Sequence, residues 1–167
     1  MAIKLDNHYP LSPRELFEIY TDKGFYEKRY AGAGVDQYTF ESFQARDDGF
    51  DIHIEINPPI EIPSGVPKAA RKLVPERQKT KYSAIWTIHS DDHMEALYTY
   101  DVQGKPIKVV GQRILQAHSE GTHNQGAFNI ECQIPVFGKL LANLLEERVQ
   151  KEMEADEAAV QEYIQGR

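Results

Sequence analysis

Residues 137–164 constrain the fold of this chain more than any other stretch. Phe137, Leu140, Leu141, Leu144, Leu145, Val149 and Met153 recur at the three-and-four spacing of one face of an α-helix. Lys139, Glu146, Glu147, Arg148, Lys151, Glu152 and Glu154 alternate with them and are expected to point away from that face. Such a helix is about 40 Å long, the width of a small domain. Its apolar stripe has to be covered by a second layer.

The upstream residues supply that layer as strands. The alternation in 2–9 is weak and predicts a first strand. Ser12-Pro13-Arg14-Glu15 then has a Ser cap, Pro at the first helical position and Glu three after the cap, which predicts a helix through Leu16, Phe17, Ile19 and Tyr20. A second short helix is expected over 23–30, stopped by Gly32 and Gly34. From Val35 the period becomes two. A strand ends near Arg46, Asp47-Asp48-Gly49 forms a hairpin turn, and Phe50, Ile52, Ile54 and Ile56 alternate with polar residues. Further strands are predicted over 79–89, with Tyr82, Ala84, Trp86 and Ile88 on one face, and over 94–102, with Met94, Ala96, Tyr98, Tyr100 and Val102. Two more follow, over 107–118 and 127–134, the last carrying Phe128, Ile130, Cys132 and Ile134. The inward parity of 107–118 stays open. The tight turns make the sheet antiparallel, and one face must be covered. The last one or two helical turns are expected to overhang it, leaving Val160, Tyr163 and Ile164 exposed.

The 167 residues fit one domain, 1–167, with one substantial core. A net charge of −7 argues against general nucleic-acid binding, which needs a basic footprint. The single cysteine, Cys132, rules out an internal disulfide and a Cys-based metal cluster. The opening Met-Ala-Ile-Lys-Leu-Asp lacks the apolar core of a signal peptide, and no apolar run approaches the roughly 20 residues of a spanning helix. A cytoplasmic protein is the expectation.

Residues 57–77 interrupt the strand pattern with five prolines, too many for a paired strand. From Lys68 to Lys81, six basic side chains stand against Glu76 alone. If 68–74 is helical, Ala69, Ala70, Leu73 and Val74 form a small apolar face beside Lys68, Arg71 and Lys72. This segment is a candidate gate through Val66, Leu73 and Val74. Its basic residues allow weak contact with an anionic membrane surface but no stable insertion.

The order of elements resembles the helix-grip fold of the START and polyketide-cyclase-like superfamily (SRPBCC). Local strings resemble a bacterial family of unknown function within it: Ser12-Pro13-Arg14-Glu15-Leu16-Phe17, Trp86, Gly104-Lys105-Pro106-Ile107-Lys108-Val109-Val110-Gly111 and Ile134-Pro135-Val136-Phe137-Gly138. The resemblance implies an α+β fold: a curved antiparallel sheet of about seven strands wrapped around the long C-terminal helix, with two short helices after the first strand. It also implies a hydrophobic cavity between sheet and helix that holds a lipid or other apolar small molecule. Residues that stripe analysis and resemblance both place inside are Ile52, Ile54, Trp86, Tyr98, Tyr100, Phe128, Ile130, Phe137, Leu141 and Leu145. A cyclase- or hydrolase-type enzyme using the same cavity, and a partner-binding module acting through the end of the last helix, are the alternatives.

No catalytic residue and no cofactor are expected. There is no Gly-x-Ser-x-Gly elbow, and Cys132 sits in an apolar strand stripe where a thiol is inert. Gly32-Ala33-Gly34 lacks the strand-turn-helix context of a dinucleotide loop. Among His8, His53, His89, His93, His118 and His123, only His89 and His93 share a helical spacing, and they flank a turn, so no metal ligand is expected. Arg113 is expected at the surface; buried, it would need a carboxylate partner or a ligand anion, and would mark a site. The protein is expected to be a monomer or homodimer.

Overall fold

The computed structural model describes residues 2–72 and 74–166. The chain opens with strand β1 (Ala2–Tyr9), followed by helices α1 (Pro13–Tyr20) and α2 (Lys23–Ala33). Strands β2 (Tyr38–Arg46) and β3 (Gly49–Ile56) form a hairpin, and the proline-rich segment contains one helical turn, α3 (Lys68–Arg71). Strands β4 (Thr80–Ser90), β5 (His93–Val102), β6 (Ile107–His118) and β7 (Gly121–Cys132) follow, and helix α4 (Gly138–Gln165) closes the chain.

Every strand pairs antiparallel with its neighbours in one seven-stranded sheet of order β1-β7-β6-β5-β4-β3-β2. Strands β2 to β7 lie side by side in chain order, with the proline-rich segment between β3 and β4, and account for all of it except the edge, where the N-terminal strand returns against the last. The sheet curves around α4, which is the helix-grip arrangement. Gly111 on β6 lies under the Phe128 ring, and a Cβ there would sit 2.3 Å from a ring carbon. Only glycine lets that ring lie flat against the strand.

The capping box at α1 forms as the sequence predicts. Glu15 N–H donates to Ser12 Oγ (3.1 Å) and Ser12 N–H to Glu15 Oε2 (3.0 Å). This matters because α1 seats Phe17 and Tyr20 against Trp86, one edge-on and one stacked. Ser12→Ala is expected to destabilise the protein by about 1 kcal/mol, read as a lower urea midpoint with an unchanged m-value. Helix α2 ends on Gly34, whose φ of 73° is the left-handed cap conformation.

Four expectations need correction. Strand β7 starts at Gly121, six residues before the apolar alternation does. The inward residues there are polar, Thr122 and Asn124; Thr122 donates to the Leu11 carbonyl (2.6 Å) and Asn124 to the Tyr20 hydroxyl (3.4 Å). A hydrophobic pattern cannot reveal a strand whose core face is hydrogen-bonded.

The end of α4 does not overhang. Val160 is fully buried, and Tyr163 and Ile164 are half-buried, because α2 packs along this part of the helix. Gly32 lies against Ala155, Lys28 pairs with Glu162 (2.8 Å), and Tyr163 donates to Asp22 (3.1 Å). The apolar end proposed for a partner is therefore already occupied by the protein's own second helix.

Glu152, expected to face away from the core, is 0% exposed, and Arg113, expected at the surface, is 3% exposed. The inward residues of β6 are Ile107, Val109, Arg113 and Leu115, which settles its parity.

Candidate functional site: a cavity above a buried ion-pair cluster

Two regions of different character lie between sheet and helix. Under α1 and α2 the concave face is filled by a dense aromatic core. Phe25, Tyr26, Tyr30, Tyr82 and Trp86 are all essentially inaccessible there. Ile52, Ile54, Trp86, Tyr98, Phe128 and Ile130 belong to this filled part. At the other end, where the proline-rich loop crosses over, the space is empty: a cavity of about 770 Å³.

Its apolar walls come from three parts of the fold. The loop contributes Ile60, Ile62 and Val74, the sheet Ile56, Val102 and Ile107, and the first turns of α4 Leu141, Leu144 and Leu145. Val74, Val102, Ile107 and Leu141 are buried and form a small apolar cluster apart from the main core. The exposed Glu61, Lys151 and Glu154 border the cavity where it meets solvent. Of the residues singled out from sequence, Tyr100, Leu141, Leu145 and Val74 line this cavity. Phe137, half-buried at the start of α4, and Val66, half-buried in the loop, lie outside its wall; Leu73 falls outside the described residues. The loop segment is pinned by Ala70, which is fully buried, while Lys68, Arg71 and Lys72 are exposed.

The inner end of the cavity is polar. Tyr100, Glu152 and Arg148 reach it, and behind them lies an ion-pair cluster. Arg29 on α2 is its hub: Nη2 lies 2.9 Å from Glu152 Oε2 and Nε 3.0 Å from Asp156 Oδ1. Arg29 also donates to the hydroxyls of Tyr100 (2.5 Å) and Tyr82 (3.3 Å), and Tyr100 donates to Glu152 Oε2 (2.8 Å). Arg113 lies 3.5 Å from Asp156 Oδ2, with its guanidinium 4.2 Å above the Tyr20 ring. Three guanidinium groups thus face two carboxylates.

Burial opposes the charge on Arg29, but Asp156, then Tyr100, Tyr82 and Glu152, outweigh it and hold the guanidinium above its ordinary range. Burial pushes the Asp156 carboxyl up, while Arg29 and Arg113 pull it back. The Tyr82 and Tyr100 hydroxyls are raised by burial despite the nearby Arg29, so they serve as neutral hydrogen-bonding groups.

Hydrogen bonding in this network is incomplete at Arg29 Nε, Arg113 Nε and Asp156 Oδ1, and also at its cavity end. Glu152 Oε1 and Arg148 Nε face each other at 3.6 Å, beyond hydrogen-bond reach. Both atoms are buried, and neither has a hydrogen-bond partner among the described residues; nor does Arg148 Nη2. Arg148 is anchored by its remaining nitrogen, which donates to the Ala33 carbonyl (3.0 Å). Buried polar atoms left unpaired are costly, and these border the cavity.

The cluster was missed from sequence, although a signal was present. Leu141, Leu145, Val149, Glu152, Asp156 and Val160 step by four, four, three, four and four, so both acids continue the buried stripe. Acids on an apolar stripe of α4 should have demanded cationic partners.

Solved structures share the fold across nearly the whole chain at low identity. A Thermus thermophilus protein, TTHA0849, superposes with a TM-score of 0.65 at 13% identity, over 98% of this chain and 99% of its own. The Zhui aromatase/cyclase from a Streptomyces species gives 0.59 at 10%, over 96% and 90%. A STAR-related lipid transfer protein from Xanthomonas axonopodis gives 0.56 at 9%, over 93% and 85%. No curated protein matches the chain. Residues 4–164 match the family described as "Protein of unknown function (DUF2505)", and the chain, with its START-like helix-grip fold, belongs to that family.

Proposed function

We propose that this protein binds a hydrophobic small molecule or lipid in the cavity under the proline-rich loop. The observation that carries the reading is an apolar cavity of about 770 Å³ with Glu152 and Arg148 at its inner end, where Glu152 Oε1 and Arg148 Nε are buried just behind the wall without hydrogen-bond partners among the described residues. Pockets for small ligands combine apolar walls with a few placed polar groups. A ligand hydroxyl fits the inner end best, since it donates to the carboxylate and accepts from the guanidinium at once. The lipid-transfer and aromatase/cyclase names of two proteins that share the fold agree with an apolar ligand. The proline-rich segment, carrying Val66 and Val74, is the gate of this reading, and its exposed Lys68, Arg71 and Lys72 give it a weak affinity for anionic surfaces.

Native mass spectrometry of the protein purified from its own host is expected to show an apolar adduct of about one molecule per chain. Leu145→Trp, which fills the cavity from α4, is expected to weaken uptake of an apolar fluorescent probe at least about tenfold, or roughly 1.4 kcal/mol. A wild-type protein that takes up neither adduct nor probe removes the proposal. The unpaired Glu152 oxygen also supports a second reading, a cyclase- or hydrolase-type enzyme with Glu152 as proton acceptor. A recovered ligand that incubation with the protein leaves chemically unchanged decides for the carrier.

A further inference from the structure

Five of the six histidines, all but His53, gather at one end of the sheet, on its outer face. The strand register brings them there. His93 on β5 pairs with Gln116 on β6, Gln116 with His123 on β7, and His123 with His8 on β1. A single rung across four strands therefore carries three imidazoles. This end is remote from the cavity, which meets β5 and β6 at Tyr100, Val102 and Ile107.

Each half of the rung is joined by a carboxylate two residues along, which on a strand is the same face. Around Glu95, His93 Nε2 lies 3.1 Å from one carboxylate oxygen and His89 Nε2 3.3 Å from the other. Around Asp6, His123 Nε2 is 2.6 Å from Oδ1, and the His8 and His123 rings stack at 4.3 Å with an angle of 3°. In both trios the three ligand atoms lie within 4.8 Å of one another.

These separations suit a metal ion. Nitrogen and oxygen donors each bound at about 2.1 Å stand about 3 Å apart around the ion, close to the spacings about Glu95. Imidazole with carboxylate is a donor set for borderline divalent transition metals such as Zn²⁺, and poor for Mg²⁺ or Ca²⁺. Three protein donors leave a coordination position for water.

We propose that this face binds two Zn²⁺-class ions, one held by His89, His93 and Glu95, the other by Asp6, His8 and His123. The proposal is independent of the cavity. The strands on which the trios stand are already fixed by the sheet, so binding reorganises side chains only; the parallel His8 and His123 rings must turn out of their stack for both in-plane lone pairs to meet one ion.

The test uses untagged, chelator-treated full-length protein, titrated calorimetrically with Zn²⁺ and, for its ligand-field spectrum, with Co²⁺. The wild type is expected to take up about two ions per chain by about 100 μM free metal. His89→Ala/His93→Ala and His8→Ala/His123→Ala are each expected to take up half as much, and the quadruple variant none. Glu95→Gln, which keeps size and shape, is expected to lose the same ion as the first pair. The six residues are exposed or half-buried, so thermal midpoints in chelator should match the wild type. Uptake of fewer than two ions by the wild type, or two retained by either double variant, overturns the proposal.

Discussion

Arg29→Met is expected to cost about 3–5 kcal/mol of folding stability, the amount typical of removing one member of a buried ion pair. Arg29 is 4% exposed and contacts Glu152, Asp156, Tyr82 and Tyr100 together. Methionine fills much of the same space but leaves the two carboxylates without their nearest cation. Arg113 and Arg148, at 3.5 and 3.6 Å, stay beside the carboxylates but hold them less closely than Arg29 does. Domains of this size are stable by only about 5–15 kcal/mol, so the variant should sit near its unfolding threshold. Urea denaturation measures the loss. Adding Glu152→Gln and Asp156→Asn should restore part of it, because the stranded charges are then gone. A single variant within about 1 kcal/mol of the wild type would show that the cluster does not hold the helices together.

The second large effect is alkaline unfolding. The hydroxyls of Tyr26, Tyr30, Tyr98 and Tyr100 are raised well above 10.0, in each case chiefly by burial. Below pH 10 both folded and unfolded chains keep these protons, and stability does not depend on them. Above pH 10 the unfolded chain releases them while the folded one does not. Stability then falls by about 1.4 kcal/mol per pH unit for each tyrosine, or roughly 5.5 kcal/mol per unit for the four together. The protein should unfold cooperatively within about two pH units above 10, with far-UV circular dichroism and tyrosinate absorbance changing together. Tyrosinate absorbance that rises smoothly while the fold persists would contradict the burial of these groups.

Both effects originate in the same design. Helix α2 carries Tyr26, Arg29 and Tyr30 on one side, so the element that supplies the hub cation also supplies much of the aromatic packing around it. The cluster clamps α4 against α2 and the sheet at its middle. The turns before that clamp, at Leu141, Leu144 and Leu145, border the open cavity. An ion-pair floor beneath an apolar chamber holds the polar groups of Glu152 and Arg148 in place, and in the binding role proposed above this lowers the ordering cost.

How much of this is written locally can be judged from particular residues. Ser12 and Glu15 form their capping box because its hydrogen bonds join residues three apart. Phe50 to Ile56 and Tyr82 to Ile88 alternate as strands because one face meets the core. In such elements periodicity and cap chemistry suffice, and the long C-terminal stripe implied a covering sheet. Other features depended on partners distant in the chain. Glu152 reads as a surface acid until Arg29, 123 residues away, is placed beside it. Val160 and Ile164 read as a free end until α2 lies along them. The open space is likewise not a property of any stripe. Ile52, Trp86 and Phe128 alternate just as Tyr100 and Val102 do, but the first group belongs to the filled core, whereas the second lies at the edge of the cavity, with Tyr100 held by Arg29 of α2 and Val102 under the proline-rich loop.

The histidines show the division most plainly. No spacing in the chain links His8, His93 and His123, because strand neighbours are set by register rather than by sequence distance. The sequence by itself determined the elements, their order and the sheet-on-helix architecture, since these follow from local hydrogen bonding and the period of apolar burial. Only the tertiary structure decided which charges are buried, where the cavity remains and which imidazoles meet. Those outcomes rest on Coulomb attraction and packing between residues that the chain itself keeps far apart.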